Sequence, residues 1–167
     1  MLEKDFSCNK NSFNGEFEKV TDVKKNFSIS LPKYWKTNFF YDKLQSSIYT
    51  ADTTKQLTET VLIDITHVKS HYQFNDNFKN MLAQNDNSQS LTNTKQQKFV
   101  YKNHDAFYTL SKGKKSNFTY QILNIFIKQN QTNSYHFKTE VYGKSLVNER
   151  FCKAIKTLNT LSFYESK

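Results

Sequence analysis

A chain of 167 residues with a formal net charge of +9 has the length of one domain. Only 37% of it is hydrophobic, yet fifteen Phe and ten Tyr supply enough ring area for a core, which excludes a disordered chain. Three glycines and one proline argue against a loop-rich or repeat-built chain, and no run of 18 apolar residues exists to make a transmembrane helix.

Taken in order, residues 1–14 are polar, and residues 1–16 are expected to be a flexible lead-in to one domain over 17–167. Met1 to Asn14 lacks the apolar central region of a signal peptide. Phe17 and Val20 begin a short strand or turn, and Lys24-Lys25-Asn26 turns into Phe27 to Leu31, where Phe27, Ile29 and Leu31 alternate with Ser28 and Ser30. Pro32 ends that strand because it has no N–H to give to a ladder. The only tryptophan, Trp35, follows and folds back over the strand end, with Phe39, Phe40 and Tyr41 as an aromatic patch beside it.

Ser46 to Ala51 and Thr60 to Val68 read as strands, the second an inner one with Val61, Ile63 and Ile65 in alternation. At Phe74 the period changes: Phe74, Phe78, Met81 and Leu82 make a helix stripe over 74–84, capped by Asn75 or Asp76. Asn85 to Thr94 reads as a loop. Strands are expected at 98–102, 105–111, 118–128 and 134–142, with a turn at Lys112-Gly113-Lys114-Lys115-Ser116-Asn117. Val147, Phe151, Ala154, Ile155, Leu158 and Leu161 form the stripe of a closing helix. Strands joined by such short turns are antiparallel. The class is α+β, one central antiparallel sheet sandwiched by helices.

The lysines are dispersed, and Arg150 is the only arginine. Arginine is the usual residue for bidentate phosphate and base contacts. The basic balance therefore reads as a solvated lysine surface, and nucleic acid is not the expected partner. Two cysteines, Cys8 and Cys152, make no disulfide framework. Cys152 lies in the closing helix stripe and reads as a small buried hydrophobe. Phe6-Ser7-Cys8-Asn9 resembles a bacterial lipoprotein junction, so Cys8 is a candidate lipidation site and membrane tether, although Lys4 and Asp5 depart from that pattern.

His67 and His71 have the i, i+4 spacing of a helical zinc pair, but they straddle a strand end and a turn. Asp64 lies mid-strand with no second acid or nucleophile placed by a motif. No G-x-S-x-G, phosphate-binding glycine loop or Cys/His motif occurs. No catalytic, metal or cofactor residue is assigned. Candidate partner contacts are Tyr34, Phe39, Phe40 and Tyr41, more rings than one corner can bury, and Lys112, Lys114 and Lys115 on a hairpin tip. Asn117-Phe118-Thr119 and Asn130-Gln131-Thr132 match the glycosylation triplet, as expected by chance in an Asn-rich chain.

F-S-I-S-L-P-x-x-W-K at Phe27 to Lys36, the inner strand 60–68, the helix from Phe74, the meander and the closing Ile155-x-x-Leu158-x-x-Leu161-x-Phe163 together resemble the PsbP-like superfamily, over about 17–163. That family includes an extrinsic protein of photosystem oxygen evolution, a Ran-binding nuclear import factor and small bacterial envelope proteins. The resemblance implies an α/β/α sandwich and a non-enzymatic accessory protein that binds other proteins, a monomer or weak dimer, bacterial and envelope-associated if a signal was trimmed and otherwise cytoplasmic. A secretion chaperone holding hydrophobic segments is the alternative within the binding class. A small hydrolase or metal-dependent enzyme is the alternative outside it. Fold alone does not choose among them.

Overall fold

A computed structural model describes residues 1–9 and 15–164. The elements are α1 (Leu2–Asp5), β1 (Phe17–Thr21), β2 (Phe27–Pro32), β3 (Lys36–Tyr41), β4 (Gln45–Ala51), β5 (Leu62–Val68), α2 (Asp76–Ser88), β6 (Thr92–Tyr101), β7 (His104–Lys115), β8 (Phe118–Lys128), β9 (Ser134–Tyr142), α3 (Val147–Asn159) and β10 (Ser162–Phe163). Seven strands form an antiparallel sheet in the order β3-β4-β5-β9-β8-β7-β6. A smaller sheet has the order β1-β2-β10. The α+β sandwich holds, with one addition: the Phe27 strand is the centre of the small sheet, not the first strand of the large one.

The inner face of the large sheet carries Ile48, Ile63, Ile65, Phe137, Val141, Leu123, Ile125 and Tyr108. Phe27, Ile29 and Leu31 of β2 and Phe151, Ala154, Ile155 and Leu158 of α3 close over it in one continuous core. The outer face is covered by α2, whose Phe78 packs edge-on against Phe107 and Phe126. Asn75 caps α2 by accepting from the Phe78 amide at 3.0 Å, as its position before the stripe predicts. The expected loop over 85–94 is shorter than it read, because α2 runs to Ser88 and β6 starts at Thr92. Polar residues there do not mark a loop; they mark an exposed helix face and an edge strand.

The turn read at 112–117 is also shorter. Strand pairing continues to Lys115↔Phe118, leaving Ser116 and Asn117 as a two-residue turn with φ of 50° and 64°. Lys102 and Asn103 do the same between β6 and β7, with φ of 45° and 66°. Two positive φ values in sequence give the primed turn that matches strand twist. Gly113 serves a close approach instead: a Cβ there would lie 2.7 Å from Leu91 Cδ2 and 2.8 Å from Ser90 O.

Residues 1–9 depart most from expectation. Leu2 and Phe6 are buried, and Phe6 packs 5.4 Å from the Phe151 ring, so this part of the lead-in is core rather than flexible. Residues 10–14 lie outside the described residues. Asp5 accepts from the Tyr108 hydroxyl at 2.9 Å and pairs with Lys95 at 3.2 Å. Cys8 and Cys152 form a disulfide across a sequence separation of 144. This corrects the reading of two unpaired thiols and that of Cys8 as a lipidation site. One sulfur cannot carry both a thioether lipid and a disulfide.

Asp22 is the second tie. It is buried, and it accepts from the amides of Lys24, Asn26 and Phe27, from Asn26 Nδ2, and from Ser46 Oγ on β4. One carboxylate thereby shapes the β1–β2 connection and fastens the small sheet to the large one. Arg150 is likewise internal: its Nη1 donates to the carbonyls of Thr60 (2.9 Å) and Tyr142 (2.8 Å). The only arginine is therefore a brace rather than a surface contact.

A disulfide closing so long a loop stabilises by restricting the unfolded chain, by up to about 5 kcal/mol in the chain-entropy account. Urea unfolding with and without reductant measures it. A drop of a few kcal/mol on reduction is expected, and the same drop in Cys152→Ser without reductant.

Candidate functional site

The aromatic candidates separate into core and surface. Trp35 is 6% exposed and belongs to the inner core, with its amide donating to Pro32 O at 3.0 Å. Tyr34, Phe39, Phe40 and Tyr41 are 50%, 45%, 60% and 64% exposed. The last three are not a corner beyond a strand but a strand themselves, β3, on one edge of the large sheet. Pairing of Phe39 with Ile48 puts Phe39 and Tyr41 on the inner side, beyond the reach of the small sheet. Pairing of Phe40 with Ser47 puts Phe40 on the outer side. Rings project from both sides of an edge whose outward backbone has no partner strand among the described residues.

The opposite edge is different. β6 carries Lys95 and Lys98 mid-strand and a register irregularity between Asn93 and Lys95. Charges and bulges are the usual protections of an edge against pairing. From Thr37 to Tyr41, β3 has neither a charge nor a proline.

The basic tip does not join this patch. Lys112, Lys114 and Lys115 are exposed at the β7–β8 end, with β4, β5 and β9 lying between β3 and β8. Lys115 turns onto the outer face, pairs with Glu140 at 3.4 Å and sits 4.9 Å from the Tyr120 ring.

Sequence reading missed a cleft of about 350 Å³ between α2 and the outer face. Glu140 is its centre, accepting from Tyr120 at 2.6 Å and pairing with Lys138 at 3.6 Å as well as with Lys115. Burial, then the bond to Glu140, pushes the Tyr120 hydroxyl pKa up. Lys138 also reaches Asp64 at 3.6 Å, which resolves the mid-strand carboxylate as a cross-strand ion pair. The donors and acceptors of this cleft largely satisfy one another.

The histidines do not gather. His67 is buried on the inner face and donates from Nε2 to Asn133 Oδ1 at 2.9 Å, whereas His71 lies in the loop after β5. Among the described residues no three metal-ligating side chains come together. His136 stacks on Phe126, with centroids 4.5 Å apart and planes at 9°, and donates to Asn124 Oδ1 at 2.9 Å. A second cleft, of about 610 Å³, lies at the end of the sheet among Asn26, His67, His104, Asn130, Asn133 and Tyr164.

No family model matches the sequence, and no curated protein matches it. Solved structures do match in fold. The cyanobacterial PsbP protein (CyanoP) of Synechocystis superposes with a TM-score of 0.60 at 8% identity, over 95% of this chain and 99% of that one. The fold is PsbP-like. LpqN, involved in cell envelope biogenesis of Mycobacterium tuberculosis, follows at 0.52 and 7% identity, over 90% and 91%. A Bacteroides thetaiotaomicron protein gives 0.57 at 14% identity over 91% of this chain, which spans about half of that protein's length (49%).

Two predictions come from this geometry. Trp35→Ala removes a buried indole and is expected to cost about 3–5 kcal/mol, whereas Phe39→Ala, on an exposed edge, is expected to cost under about 1 kcal/mol. Denaturant midpoints compare them, and equal losses would make β3 core rather than surface.

The second concerns pH. Burial, then the charge of Lys138, lowers the His136 pKa to about 3, and burial lowers that of His67. Unfolded, both titrate near 6.5. As pH falls from 6.5 towards 3, the unfolded chain takes up protons that the fold refuses, so stability falls, by about 1.4 kcal/mol per pH unit for His136. Urea unfolding at pH 7 and pH 5 should show a smaller loss in His136→Gln than in the wild type.

Proposed function

We propose that the chain is a non-catalytic accessory protein that binds other protein chains, with the aromatic edge β3 as its contact surface. The observation that carries this reading is a strand edge bearing three exposed rings and, from Thr37 to Tyr41, none of the mid-strand charges that protect β6. Exposed aromatic groups of this kind are the usual anchors of protein interfaces, and an open strand edge adds main-chain hydrogen bonds to a partner.

The outer cleft supports binding over catalysis. Glu140 is engaged by two lysines and a tyrosine, Asp86 by the Ser111 hydroxyl, and His136 is bonded to an amide rather than to a nucleophile. A hydrophobic-segment chaperone finds less support. The part of the outer face beyond α2 carries Ser47, Thr66 and Asp64, hydrogen-bonded among themselves.

The disulfide supports an oxidising compartment such as a bacterial cell envelope. The involvement of LpqN in cell envelope biogenesis fits the same setting.

Affinity capture from bacterial envelope extract with immobilised wild type and Phe39→Lys tests the reading. A protein retained by the wild type and lost with Phe39→Lys is expected. An identical set on both would sink β3 as the surface.

A further inference from the structure

Resting on the reading of β3 as a protein contact, the geometry points to a specific occupant: we propose that β3 pairs with β3 of a second copy of this chain, antiparallel, about a two-fold axis at Phe39. Two seven-stranded sheets would then join into one continuous sheet. Closed two-fold pairing of identical patches is the commonest form of homo-oligomer.

The register follows from the residues. In an antiparallel pair, directly opposed residues lie on the same face. Centring on Phe39 keeps α3 of both copies on one side of the joined sheet. It sets Phe39 against Phe39 of the second copy and Thr37 against Tyr41, both on the inner side. On the outer side it sets Asn38 against Phe40. One step beyond, it sets Lys36 against Asp42 of the second copy, twice by symmetry. Aromatic pairs, aromatic–β-branched pairs and opposite charges are the cross-strand pairs that stabilise sheets.

Neighbouring registers lose this. Centring on Asn38 sets Lys36 against Phe40, and centring on Phe40 sets Asn38 against Asp42, so neither joins the charges. Centring between Asn38 and Phe39 turns the two inner faces to opposite sides of the sheet. No like charges are opposed in the Phe39 register, although the chain is basic as a whole. Asp42 is fixed for the role because its Oδ1 accepts from the amides of Leu44 (2.8 Å) and Gln45 (3.0 Å), which holds the side chain in the β3–β4 turn.

Sedimentation velocity of the full chain with its disulfide intact decides the matter. The wild type is expected to dimerise below about 200 µM, and more weakly at high salt. Lys36→Glu places like charges opposite Asp42 and is expected to weaken dimerisation about tenfold. Asn at position 42 keeps the turn-capping oxygen, so the double variant Lys36→Glu with Asp42→Asn is expected to recover most of that loss. Circular dichroism identifies any variant that fails to fold, and Phe40→Lys then provides a second disruption of the same interface. Lys36→Glu dimerising as well as the wild type, or the double variant recovering nothing, would overturn the register. A wild type monomeric at about 200 µM, with Phe39→Lys still losing a captured protein, would overturn self-pairing and leave β3 as a surface for a different chain.

Discussion

The inner face of the large sheet is covered by pieces from both ends of the chain, and the Cys8–Cys152 bond holds those ends together. Leu2 lies in, and Phe6 directly follows, a four-residue helix that could not persist alone. They stay seated because the bond two residues on is covalent, and because Asp5 is held by Tyr108 and Lys95. The small sheet is held by Asp22, whose carboxylate bonds to its own turn and to Ser46 of the large sheet. Neither the α1 segment nor the small sheet buries enough surface to stand apart from the sheet beneath it.

The two faces of the large sheet consequently differ in character. The inner one is largely apolar, covered everywhere but at the β3 edge, and tied at several points. The outer one is half covered by α2 and half dressed in hydrogen-bonded hydroxyls and ion pairs. The two edges differ as well, β6 being protected by lysines and an irregular register while β3 presents rings on both sides. The proposed contact with another chain therefore uses one edge rather than a face.

Much of the frame was legible in the sequence because burial imposed a period on it. Ile63 and Ile65, the alternation along 118–128 and the α3 stripe each follow from one face turned to the core. β3 was not legible as a strand because both its faces are exposed, so Lys36 to Tyr41 has no alternation to read. The disulfide carries no local signal at a separation of 144 residues. Asp22 carries no local signal of its role either, because only the fold brings Ser46 to it. The second sheet was hidden for a similar reason, since β10 reaches β2 from the far end of the chain.

The strand order also bears on how the chain reaches this state. β6 to β9 form a meander of tight turns, a local structure of the kind that assembles quickly. β5 has a sequence neighbour, β4, on one side only, and its second partner is the distant β9, with Leu62 opposite Glu140. Of the large sheet, β3, β4 and β5 are made first, and until β9 follows both margins of that three-stranded part are open. β9 later closes one margin, and no strand among the described residues closes the other. The nascent protein is therefore most exposed to premature association before β9 has left the ribosome, and Cys8 must wait longer still, since Cys152 is made after β9.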